Sequence, residues 1–111
     1  YKDGALNNQS IDGEVDTTRI WWVQAEGLVG FLNAYQKTGY ELYLDTVVSM
    51  WNYIKTYMID RRDGSEWYWD VNYRGEPVSK RPIVEPWKCP YHNGRMCMEV
   101  MRRYEEIRRS L

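Results

Sequence analysis

Apolar side chains fall at Trp21, Ala25, Leu28, Leu32 and Tyr35, steps that keep all five on one side of a helix. Short polar residues precede this run. The helix is therefore predicted to open near Thr17 or Thr18, with Asp16, Thr17 or Thr18 as its cap, and to stop at Gly39. Leu44, Val47, Val48, Trp51, Ile54 and Met58 repeat the same period and predict a second helix from about Tyr40 to Ile59, with Trp51 in its buried stripe. The joint at Thr38-Gly39 is so short that the two helices must return antiparallel, giving a helical hairpin over about 17–59.

The rhythm then changes. Asp60 to Ser65 supplies turn residues, and Trp67, Trp69, Val71 and Tyr73 alternate with polar neighbours before Arg74-Gly75. That alternation predicts a small inserted β-hairpin over 66–78. Pro82, Pro86 and Pro90 disfavour helix across 79–90 and mark an extended connection. A third helix is expected over about 90–110, with Pro90 or Tyr91 in its first turn and Met96, Val100, Tyr104 and Ile107 along one side. Residues 1–16 show neither period and are expected to form a lead-in loop. The fold class is all-α with one inserted hairpin, and a helical pair followed by an unpaired helix suggests a repeat interrupted midway.

Charge narrows the partners. Fifteen basic and sixteen acidic side chains leave a net charge of −1, so no overall field attracts nucleic acid or an anionic membrane. Arg102, Arg103, Arg108 and Arg109 interleave with Glu105 and Glu106 at helical spacing and are read as a solvated face. No apolar run reaches the roughly 20 residues of a membrane span, and the amino end is polar, which makes a cytoplasmic address the expectation. The chain opens at Tyr1 rather than Met, so an upstream leader is compatible with it. Cys89 and Cys97, eight positions apart beside a helix, are too distant to pair and are expected to be reduced. With His92 they supply three of the four ligands of a structural zinc site, without its usual spacing, so no metal is assigned.

Six Trp and ten Tyr beside a single Phe put most aromatic surface on rings with a polar edge, which suits a site that is part apolar and part wet. Two segments carry the candidates. In Arg19-Ile-Trp-Trp-Val-Gln-Ala-Glu26 the residues Trp22, Glu26 and Gly30 form a helical column separate from the apolar stripe. A ring beside a carboxylate can stack on the apolar face of a sugar while accepting its hydroxyl hydrogens. The plainer alternative is a wide buried face with Glu26 paired to an arginine. In Pro86-Trp-Lys-Cys-Pro-Tyr-His-Asn-Gly-Arg95 stands the only histidine, His92, near a helix start whose dipole disfavours the imidazolium. Trp87 precedes it on the proline-rich connection, and Tyr91, Asn93 and Arg95 surround it in sequence.

These two segments, together with Glu66-Trp-Tyr-Trp69, resemble in content and order the C-terminal signature blocks of cellobiose 2-epimerases, within the N-acylglucosamine 2-epimerase superfamily. The resemblance covers Arg19 to Arg103. It implies an (α/α)6 barrel of which this chain supplies the last helices, with earlier hairpins and a second acid/base histidine lying outside it. It further implies His92 as one of two acid/base histidines, Trp22 and Trp87 as sugar-contacting rings and Glu26 as a polar group of the site. Arg19 and Tyr91 fall inside matching blocks without an assigned role. The implied reaction inverts C2 of a reducing-end aldose by proton removal and return, with a saccharide as partner and no cofactor. The alternatives are an N-acylglucosamine 2-epimerase or a mannose isomerase of the same superfamily, a non-catalytic carbohydrate-binding module, and a structural helical domain. The chain alone is expected to be inactive and to self-associate.

Overall fold

The start of the first helix is set by a strand partner distant in sequence. In the computed structural model, which describes residues 1–111, Arg19–Ile20 is extended (β3) and pairs antiparallel with Asp70–Val71 (β4) in the register Arg19↔Val71 and Ile20↔Asp70. Helix α1 therefore begins at Trp21 and runs to Thr38, later than the predicted start near Thr17 or Thr18. Asp16 caps a turn instead of the helix, accepting from the Thr18 N–H at 3.0 Å. The predicted stop holds: Gly39 adopts φ 69° and donates its N–H to Tyr35 O at 2.7 Å.

Residues 1–16 are more ordered than a lead-in loop. Gln9–Ile11 (β1) and Glu14–Asp16 (β2) form a two-stranded hairpin, closed by Asp12 at φ 50° and Gly13 at φ 85°. Both central residues have positive φ, the geometry that matches strand twist and favours Asp-Gly. Ahead of it, Gln24 of α1 clips the chain with both ends of its amide. Its Oε1 accepts from Leu6 N–H at 2.8 Å and its Nε2 donates to Leu6 O at 2.9 Å.

The expected hairpin over 66–78 is much reduced. Asn72 N–H donates to Glu76 O at 2.8 Å and Val71 bridges Pro77, but the aromatic stretch pairs elsewhere. Trp67 bridges Ile59, Tyr68 N–H donates to Met58 O at 2.8 Å, and Trp69 O accepts from Trp21 N–H at 3.0 Å. The segment thus ties the end of the second helix to the start of α1.

Helix α2 spans Glu41–Tyr53 and continues as a wider π turn over Ile54–Met58, closed by Ile59 N–H on Ile54 O at 3.1 Å. Its buried stripe is Val47, Met50, Tyr53, Ile54 and Met58. Trp51 is not in it: the ring is 38% exposed with Lys55 above it, a correction to the predicted core, because the inward position of that turn belongs to Met50. Helix α3 spans Tyr91–Ser110 after Pro90, as predicted. Helix α1 packs on both α2 and α3, burying Trp21, Ala25, Leu28 and Leu32. Between α2 and α3 lies a wholly apolar groove of about 360 Å³, lined by Leu28, Val47, Val48, Trp51, Met96 and Val100 among others.

Candidate active site

The first two turns of α1 and α3 lie side by side, and the polar groups they carry meet there. Glu26 stands one helical turn after Trp22 on α1. His92 projects from the first turn of α3 and Arg95 from the start of its second. His92 Nδ1 lies 2.8 Å from Glu26 Oε1, and the other carboxylate oxygen accepts from Arg95 Nη2. Burial pushes the Glu26 carboxyl up, but the hydrogen bonds and charges of Arg95 and His92 outweigh it and hold the group below the ordinary glutamate range. An ionised carboxylate only accepts, so the proton between them sits on Nδ1, and in the neutral ring Nε2 keeps the lone pair.

Aromatic rings surround the imidazole. The Trp22 ring is 43% exposed with its centroid 5.9 Å from that of His92. Trp21 stands edge-on to His92 at 6.2 Å and packs against Trp69 at 4.7 Å. Together with Ile20 and Trp87 these rings line an open cavity of about 430 Å³ with His92 in its wall. Trp87 is 84% exposed and forms the rim. All four residues singled out in the sequence, Trp22, Glu26, Trp87 and His92, therefore border or support one concavity. The plainer reading of Glu26 also holds in part, since it pairs with Arg95, but the same carboxylate orients His92.

Arg19 is buried behind the site, donating to Thr17 O at 2.6 Å and Lys2 O at 3.3 Å. Tyr91 is exposed beside His92, ring centroids 5.0 Å apart. Cys89 and Cys97 are exposed free thiols. Sequence reasoning missed a cluster formed by Glu66, Lys88 and Asn93 next to the cavity. A lysine on a proline-rich connection gives no periodic signal of burial, and Lys88 is fully enclosed.

On a helical scaffold the site joins an imidazole oriented by a carboxylate to a wall of tryptophan rings, and similarity to known proteins identifies the family. Residues 6–93 match the family described as N-acylglucosamine 2-epimerase (GlcNAc 2-epimerase), and the chain belongs to that family. The cellobiose 2-epimerase of Ruminococcus albus is 55% identical over 106 residues, 96% of this chain and 27% of that protein. The cellobiose 2-epimerase of Dictyoglomus turgidum is 51% identical over 105 residues, 93% of this chain and 26% of that protein. Among solved structures, a sugar epimerase from a ruminal bacterium superposes with a TM-score of 0.88 and 56% identity over 92% of this chain and 26% of that one. A D-mannose isomerase does so with a TM-score of 0.79 and 28% identity, over 91% and 26%. The chain spans about a quarter of the length of the relatives it matches. The expected architecture, helices of an (α/α)6 barrel, agrees with these neighbours. No helix is long and apolar enough to cross a membrane.

Proposed function

We propose that the chain is the C-terminal part of a sugar 2-epimerase that interconverts glucose and mannose units at the reducing end of a disaccharide. The observation that carries this reading is the contact of His92 Nδ1 with Glu26 at 2.8 Å, which orients an imidazole that forms part of the wall of the tryptophan-lined cavity. In an opened aldose the C1 aldehyde acidifies the C2 hydrogen. His92 Nε2 takes that proton, the C–H electron pair moves into an enediolate, and Glu26 stabilises the imidazolium that forms. Return of a proton to the opposite face inverts C2, and that second acid/base group comes from outside this chain. Trp22 and Trp87 stack on the sugar rings. The names of the similar proteins support a disaccharide over N-acetylmannosamine or free mannose as substrate. Two free thiols support a cytoplasmic address.

In the full-length enzyme His92→Ala is expected to slow solvent deuterium incorporation at C2 of cellobiose by about 10²- to 10⁴-fold with the fold retained. Exchange at near wild-type rate would sink the assignment. Trp22→Ala and Trp87→Ala are expected to weaken saccharide binding in calorimetry while leaving the melting temperature almost unchanged. Product analysis on cellobiose, N-acetylmannosamine and mannose separates the three enzyme readings, and binding without turnover returns the non-catalytic module. The 111-residue chain alone is expected to be silent and to self-associate through the α2–α3 groove. A compact monomer in sedimentation, or unaided turnover of cellobiose, would count against this.

A further inference from the structure

Next to the aromatic cavity lies a polar cluster that the proton transfer does not use. Lys88 is 0% exposed, on the irregular connection between Trp87 and α3. Its ammonium is ion-paired with Glu66 Oε2, donates to Ile83 O at 2.8 Å and stands 5.8 Å from the Trp21 ring centroid. The other Glu66 oxygen accepts from Asn93 Nδ2. Asn93 is itself buried at 8% exposure and directly follows His92 in the first turn of α3.

Burying an ammonium against a half-buried carboxylate is often no more stabilising than filling the same space with apolar side chains, so stability alone gives little reason for the pair. What the pair adds is direction. Lys88 fixes one oxygen of Glu66, which leaves the other at a defined place to receive Asn93. A helix held at one residue of its first turn cannot rotate there without breaking that bond. The rotation of this turn decides whether the next side chain, His92, reaches Glu26.

We propose that Lys88 is a positioning residue: through Glu66 and Asn93 it sets the rotation of the first turn of α3 and so keeps His92 Nδ1 on Glu26. The kinetic consequence rests on the epimerase reading; the geometric one does not.

The test uses the full-length enzyme with Lys88→Met combined with Glu66→Gln, which removes the charges together. Leu32→Ala, a core change away from the cavity, serves as the control for lost stability. The double variant is expected to lower kcat about tenfold or more, since small misplacements of a reacting group are costly. KM should stay within about twofold, because the sugar-stacking rings remain. Leu32→Ala should lower the melting temperature and leave kcat within about twofold. The second readout needs no turnover. A hydrogen-bonded His92 Nδ1–H proton resonance, assigned by its loss in His92→Gln, is expected in wild type, should persist in Leu32→Ala and should vanish in the double variant. If wild type proves inactive, that resonance still decides the geometric claim. If the double variant does not fold, Asn93→Ala, which spares the ion pair, must give the same two losses. A retained resonance with kcat near wild type, or a rise in KM alone, overturns the proposal.

Discussion

The two ends of α3 are both rich in ion pairs, yet they are built on different principles. At the carboxyl end Arg102 pairs with Glu99 and Glu106, Arg103 with Glu99, and Arg108 with Glu105, all three or four residues apart. At the amino end His92 and Arg95 pair with Glu26, and Lys88 just ahead of the helix pairs with Glu66. The first set binds the helix to itself; the second binds it to other elements. Glu26 and Glu99 are almost equally exposed, at 29% and 28%, so solvent access does not distinguish them. What distinguishes them is which parts of the chain lose their relative placement when the pair is removed.

If that distinction is right, Glu26→Gln should reduce C2 exchange by about 10²-fold, since His92 loses the charge that orients it and supports its imidazolium. Glu99→Gln, with a comparable loss of pairing, should leave exchange at the wild-type rate, and deuterium incorporation compares the two directly. Arg103 is the intermediate case. It pairs locally with Glu99 and also donates to Gln36 Oε1 at 2.6 Å and Asn33 Oδ1 at 3.1 Å on α1. Arg103→Ala is therefore expected to cost about 1–2 kcal/mol in urea unfolding without affecting turnover.

Acid should act on both ends in the same sense. Against the upward push of burial, Arg95 and His92 hold Glu26 below the ordinary value of 4.5; hydrogen bonds from Arg102 and Arg103 do the same for Glu99. Each folded-state value lies under the unfolded one, so each contribution is complete above that ordinary value and is lost as pH falls through the lower folded one. Thermal melts from neutral to acid pH should show a shallower acid decline in either Gln variant. The smallest effect belongs to Arg108→Ala: an exposed local pair contributes little, and the urea midpoint should not move.

The same division between local and distant partners explains what could be read from the sequence. Gly39 and Pro90 end and begin helices by their own backbone chemistry, and both boundaries were legible. Asp12-Gly13 was equally informative, but the polar residues around it suggested a loop and the hairpin went unread. The start of α1 was misplaced because Arg19–Ile20 is held extended by Asp70–Val71, a partner no local pattern reveals. Trp51 and Met50 are adjacent apolar residues, and only the packing of α2 on α1 selects the one that turns inward. In the site, Trp22, Glu26, Trp87 and His92 lie in the segments that carry the family resemblance, whereas local pattern alone left a plainer structural reading open. Lys88 did not, because nothing beside it in the sequence announces Glu66 as its counter-ion.

The Gln24 amide that engages both backbone groups of Leu6 gives the amino-terminal stretch a property its irregular shape conceals. A hydrogen on the Leu6 amide can reach deuterated solvent only when that clip opens, and Gln24 is wholly enclosed at the start of α1. On the clock of hydrogen exchange, Leu6 should therefore keep time with the first helix rather than with the exposed hairpin that follows it. A loop in outline thus behaves as part of the slow-opening interior.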